Sequence, residues 1–146
     1  MLVRELQLVY RPRPDLPTSD GPHRLGVPRD AAAFLMPIIQ HEACEVFGIL
    51  CLTTKHELIC WHEVARGSLD TCIVHPREVF KAALLANAAC LIGAHNHPSG
   101  DPNPSPDDLV LTRNLVAAGI VLGVPFVDHI VIGNGRYFSF KETGGL

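Results

Sequence analysis

The five-residue apolar run Cys90-Leu91-Ile92-Gly93-Ala94 leads directly into His95-Asn96-His97. A stretch that short, bounded by polar and turn-forming residues, reads as a buried strand, because a helix usually needs ten residues or more. Side chains two apart on a strand point the same way, so His95 and His97 share a face. Residues 98–104 then hold Pro98, Gly100, Pro102 and Pro104, which rules out regular structure until Ser105-Pro106-Asp107-Asp108. Those four residues carry the marks of a helix start: Ser as N-cap, Pro at the first position and an acid at the third. Strand, constrained loop and capped helix thus bring two imidazoles, a hydroxyl and a carboxylate together within fourteen residues.

The rest of the chain arranges itself around that unit. Residues 2–10 alternate weakly and predict an edge strand, and residues 11–28, with five prolines, an extended arm. Asp30 is the expected cap of a helix from Ala31 to about His41, kinked at Pro37. Residues 45–52 form a buried-strand run, and the polar turn 53–57 leads to a second strand over 58–64. Residues 65–71 read as a loop with Gly67 at a special backbone position, and Pro76-Arg77-Glu78 opens a helix to about Ala89. Residues 109–122 are helical with Gly123 as the stop. Residues 126–132 and 136–140 are strands joined by the hairpin signal Asn134-Gly135. There is no internal repeat. The order β-α-β-β-α-β-α-β-β defines an α/β (α+β) fold with a mixed sheet flanked by helices.

With 146 residues, 47% apolar and 18% charged, the chain has room for one domain with a substantial core. A net charge of −3 with scattered Lys and Arg gives no electrostatic footprint for nucleic acid. No apolar run is long and unbroken enough to span a bilayer, and the N-terminus lacks the order of a signal peptide. Five cysteines, Cys44, Cys51, Cys60, Cys72 and Cys90, form an odd set without a C-x-x-C pair. Most lie in or beside apolar runs and read as buried thiols, consistent with a reducing cytoplasm. Either terminal strand offers an edge through which a homo-oligomer can pair.

His95 and His97 can reach one ion, and Asp108 supplies a third ligand, the usual protein share of a catalytic zinc site. Two neutral imidazoles and one carboxylate leave Zn²⁺ formally +1, a charge that helps acidify water. Asp107 competes with Asp108 but points roughly 100° away on a helix. Ser105 alone is more often a cap than a catalytic group, and an isolated His-x-His is more often a satisfied pair; the conjunction of elements carries the metal reading. Other His-rich sites do not fit. A metallo-β-lactamase-like site needs an acid where Ser99 stands, an amidohydrolase barrel needs about 250 residues, and the His, Asn and His of an HNH nuclease are dispersed.

The pattern His95-x-His97-x7-Ser105-x2-Asp108 resembles the JAMM motif of JAB/MPN metalloproteases. With Pro76-Arg77-Glu78-Val79-Phe80, Asp128-His129-Ile-Val-Ile-Gly and Tyr137-Phe-Ser-Phe, residues from about 30 to 144 resemble the bacterial RadC-type JAB domain. The resemblance implies a cytidine-deaminase-like fold, with residues 1–29 as an N-terminal strand and proline-rich arm and 30–146 as the JAB/MPN domain. It implies Zn²⁺ on His95, His97 and Asp108, a peptide or protein substrate, and cleavage of a peptide or isopeptide amide. It also implies an upstream Glu that moves a proton, matched by Glu45, and an oxyanion-stabilising role for Ser105. An acid abutting a buried strand is costly unless something uses it; Glu42, Glu57 and Glu63 lie in polar or turn surroundings. Asp128 and His129 are candidates for hydrogen bonding, either structural or behind a zinc ligand. Full-length RadC-type proteins carry a helical region ahead of this domain, so the short arm predicts a stand-alone domain without DNA contacts. A metal-bearing binding module and a DNA-repair factor are the competing expectations.

Overall fold

A computed structural model describes residues 1–67 and 73–146. Cys72 and part of the expected 65–71 loop fall outside the described residues. Three helices, α1 (Pro28–Ile39), α2 (Pro76–Leu85) and α3 (Pro106–Leu122), cover a sheet of five strands. The strands are β1 (Val46–Leu52), β2 (Leu58–Arg66), β3 (Cys90–Asn96), β4 (Phe126–Gly133) and β5 (Arg136–Ser139), in the spatial order β2-β1-β3-β4-β5. All neighbours run antiparallel except β3 and β4, which are parallel and joined through α3. The chain therefore has the mixed-sheet α/β fold that the sequence predicts.

Period-two alternation divides the core between the two faces of the sheet. Val46, Leu50, Leu52, Cys90, Ile92 and Ala94 pack with Leu35 and Ile39 of α1. Phe47, Ile49, Cys51 and Leu91 pack on the other side with Val79 and Phe80 of α2 and Leu115 of α3. Every residue of β1 and β3 is buried, as expected of central strands covered on both faces. His95 lies on the α2/α3 face and Asn96 on the α1 face.

Several boundaries differ from the sequence-based expectations. Residues 2–10 form no strand and are exposed. Leu2, Leu6 and Leu8 alternate out of phase with Val3 and Val9, so neither face gathers enough apolar surface to hold a ladder. α1 starts at Pro28 with Val27 as N-cap, and Asp30 sits in its first turn without capping it. Proline at the first position needs no partner for its nitrogen and already has helical φ, which moves the start ahead of Asp30. Pro37 lies inside the helix, which ends at Ile39. β2 runs on through Ala65 and Arg66, which pair with Phe47 and Val46.

α2 stops at Leu85 and not near Ala89. Asn87 takes φ 54°, with Asn87 N donating to Leu84 O and Ala88 N to Ala83 O, a Schellman termination. At the other end of the arm, Leu25 N donates to His56 O and Leu58 N to His23 O, tying residues 23–25 to the β1–β2 turn.

The loop after β3 is fixed by close approach. Gly100 has φ 86°, and a Cβ on Gly133 of β4 would lie 2.6 Å from the Gly100 carbonyl oxygen. The loop can rest on the end of β4 only because Gly133 lacks a side chain. Gly133→Ala should therefore destabilise the fold by about 1–3 kcal/mol, the usual cost of overpacking, read as a lowered urea midpoint at unchanged slope.

Candidate metal centre

The antiparallel register of β1 and β3 sets Phe47 opposite His95, so the start of β1 lies beside the end of β3. Glu45, one residue before β1, is thereby carried to the histidines. The parallel β3–β4 pair sends the chain through the loop into α3, whose first turn returns over the same edge. Ligand sites in open α/β sheets form at the carboxyl ends of strands for this reason.

His97 continues the ladder, its N–H donating to Ile132 O, and so keeps the face that His95 has on the strand. The Nε2 atoms of His95 and His97 lie 3.0 Å apart. Asp108 straddles them, Oδ1 at 3.2 Å from His95 Nε2 and Oδ2 at 3.2 Å from His97 Nε2. Glu45 Oε1 stands further back, 3.8 Å from His95 Nε2. Ligand atoms of Glu45, His95, His97 and Asp108 all fall within 4.8 Å of one another.

His97 Nδ1 donates to the Asp101 carbonyl at 2.8 Å, which leaves Nε2 with its lone pair toward the cluster. His95 Nδ1 meets His129 Nε2 at 2.8 Å. Electron-rich atoms gathered this closely repel one another unless a cation lies among them, and the donor set of two imidazoles and two carboxylates suits a metal ion. The group fits such an ion. Without one, protons must fill the role. The hydrogen bond with Asp108 raises the His97 pKa against the effect of burial. Burial would raise Asp108, but hydrogen bonds from His95 and His97 and the Ser105 amide outweigh it and hold the carboxyl well below the usual range. Burial raises Glu45, partly offset by the two histidines.

Ser105 is the N-cap of α3. Its Oγ accepts from Asp108 N at 3.2 Å, while Asp108 Oδ2 accepts from Ser105 N at 2.8 Å, completing a capping box. The cap thus fixes the Asp108 carboxylate, and among the described residues no acceptor takes the Ser105 hydroxyl proton. Asp107 is exposed and takes no part. Glu42 and Glu63 pair with Arg66, at 2.7 and 2.9 Å, and Glu57 lies at the turn before β2.

Asp128 and His129 point to opposite faces of β4. Asp128 is buried and accepts from His129 N, Ser139 Oγ and Lys141 N, holding the end of β5 in place. Burial raises its pKa, partly offset by those donors. His129, also fully buried, touches His95 directly. Cys44, Cys51, Cys60 and Cys90 are free thiols outside the cluster.

Two functional contacts escaped the sequence reading. Asn96 Oδ1 accepts from Val46 N at 2.7 Å, and its Nδ2 donates to Cys44 O at 3.0 Å. This amide, between the two histidines but on the opposite face, grips the backbone on both sides of Glu45. Its signal is a fully polar side chain at a position that strand alternation sends into the α1 layer. The other contact is Thr112, one helical turn after Asp108, which bonds both Asp108 O and His129 Nδ1.

A mixed α/β sheet with a two-histidine, two-carboxylate cluster at the carboxyl end of its central strand defines a JAB-type domain. The chain belongs to the RadC-like JAB domain family, whose model matches residues 25–146. It is similar to a UPF0758 protein of Alkaliphilus oremlandii, 45% identical over 130 residues, covering 89% of this chain and 56% of that protein. UPF0758 proteins of Methanosarcina barkeri (46% over 117 residues, 80% of this chain, 51% of the relative) and Symbiobacterium thermophilum (47% over 119, 82% and 51%) are similar too. The chain thus spans about half the length of the curated relatives it matches. No helix among the described residues is long and apolar enough to cross a membrane.

The raised His97 pKa means that the metal-free folded chain holds this proton more tightly than the unfolded chain. The pairing therefore contributes stability fully present below the ordinary histidine pKa of about 6.5 and lost as pH rises through the raised value. In chelator, the thermal stability advantage over His97→Gln should shrink as the pH rises above about 6.5.

Proposed function

We propose that the chain is a zinc-dependent hydrolase, a JAMM-type metallopeptidase cleaving peptide or isopeptide amide bonds in a peptide or protein substrate. The observation that carries this reading is the convergence of Glu45, His95, His97 and Asp108 within 4.8 Å at one edge of the sheet. His95 Nε2, His97 Nε2 and the Asp108 carboxylate would hold the zinc. Bound zinc supplies Lewis acidity, which lowers the pKa of water and polarises a carbonyl.

The remaining work falls to the chain itself. Glu45 is set back from His95 relative to Asp108, at 3.8 against 3.2 Å, and burial raises its pKa. A carboxylate so placed takes a proton from the attacking water and returns it to the leaving amine. The grip of Asn96 on Val46 N and Cys44 O keeps Glu45 at that distance. Ser105 keeps a hydroxyl proton to offer to the oxyanion while its lone pair caps α3. The free thiols Cys44, Cys51, Cys60 and Cys90 suit a reducing cytoplasm.

The test is a purified chain loaded with about one zinc, assayed on peptide and isopeptide-linked substrates. Glu45→Gln should keep its zinc and lose hydrolysis by about 10²–10⁴-fold, and the zinc-loaded variant should trap uncleaved substrate for mass spectrometry. Wild-type protein that holds zinc yet turns over nothing would identify a metal-bearing binding module. Protein that never takes up zinc would end the reading.

A further inference from the structure

Behind His95 runs a chain of hydrogen bonds that closes on the backbone of another residue of the cluster. His95 Nδ1 lies 2.8 Å from His129 Nε2, His129 Nδ1 lies 2.6 Å from Thr112 Oγ1, and Thr112 Oγ1 lies 2.7 Å from the Asp108 carbonyl. His129 is fully buried and Thr112 almost so. Phe140 stacks on the His129 ring with centroids 5.1 Å apart, and Phe47 and Phe126 form T-shaped pairs with it at 5.5 and 6.0 Å. Both nitrogens of the buried ring are thus taken by protein partners.

Proton counting then fixes the direction of every bond. A hydroxyl has one proton and a carbonyl has none, so two oxygens 2.7 Å apart require Thr112 to donate to Asp108 O. The Thr112 lone pair must then receive the proton of His129 Nδ1. With its one proton on Nδ1, the neutral His129 ring has only a lone pair at Nε2. That nitrogen therefore accepts, and the proton between the two rings belongs to His95 Nδ1. In the neutral ring, His95 Nε2 is then left with its lone pair facing Glu45, His97 and Asp108.

We infer that Thr112 and His129 are positioning residues that set the tautomer of His95, so that the neutral ring presents its Nε2 to a metal ion. His97 reaches the same state in one step, through the Asp101 carbonyl. His95, on the central strand, reaches a carbonyl through two side chains, one on β4 and one on α3. The circuit also links the ligands to one another. The Asp108 carboxylate contacts His95 on one side while the Asp108 carbonyl orients it on the other. The inference rests on the proposed zinc site for its purpose, but not for its geometry.

The experiment combines nitrogen-15 NMR of the histidine side chains with zinc affinity by chelator competition. In the zinc-free wild-type chain near pH 8, His129 should be protonated at Nδ1 alone and His95 should carry a proton at Nδ1. Thr112→Val, which keeps the shape and removes the hydroxyl, should release the His129 tautomer and weaken zinc binding by about 10–100-fold, the usual effect of losing such a partner. Thr112→Ser should restore both. His129 protonated at Nε2 in the wild type, or unchanged zinc affinity in Thr112→Val, would overturn the inference. Failure of the wild type to bind zinc would instead refute the proposed function, while its histidine spectrum would still decide the relay.

Discussion

Two imidazole nitrogens 3.0 Å apart, with a carboxylate straddling them and a second carboxylate behind, cannot remain together without positive charge between them. That constraint organises the end of the sheet. It explains why His97 rises and Asp108 falls in pKa when only protons are available, and why each histidine turns its other nitrogen away from the cluster. It also explains the density of buried polar groups in this region. His95, Asn96, Asp108, Thr112 and His129 are all buried, and each has a partner. Buried polar groups are tolerated only when satisfied, so the cluster and its supporting bonds stand or fall together.

The fold supplies the convergence through three connections of different kinds. Antiparallel pairing brings the start of β1, and with it Glu45, to the end of β3. A short loop seated on Gly133 brings α3 back over the same edge, where the capping box holds Asp108. Asn96 joins the first of these to the histidines, because strand alternation that turns His95 and His97 toward α3 turns Asn96 toward the backbone around Glu45. The tripeptide His95-Asn96-His97 thus places two candidate ligands on one face and fixes the candidate proton-transfer group from the other.

How much of this was legible in the sequence follows from the range of the interactions involved. The His95–His97 face, the Ser105 cap and the position of Asp108 are set by contacts within fourteen residues, and strand and helix periodicity suffice to read them. Gly123 and Asn134-Gly135 were equally readable, since left-handed backbone is a local property. Glu45 was reached through a family resemblance, because only the β1–β3 register, spanning some fifty residues of sequence, brings it to the site. His129 was a candidate from the sequence, but Thr112 was obscured for the same reason as Glu45: its bond to His129 crosses from a helix to a strand. The N-terminal strand failed because alternation alone cannot show whether a sheet edge awaits it, and α2 ended early because Asn87 imposed its own termination.

The central claim is that the two histidines and Asp108 form a metal centre of nitrogen and oxygen ligands. X-ray absorption at the zinc edge of the purified, zinc-loaded chain tests it most directly. The account predicts a first shell of two imidazole nitrogens with oxygens, all at about 2.0–2.2 Å, and no sulfur. A shell at about 2.3 Å from cysteine sulfur, or a spectrum of zinc in water alone, would contradict it.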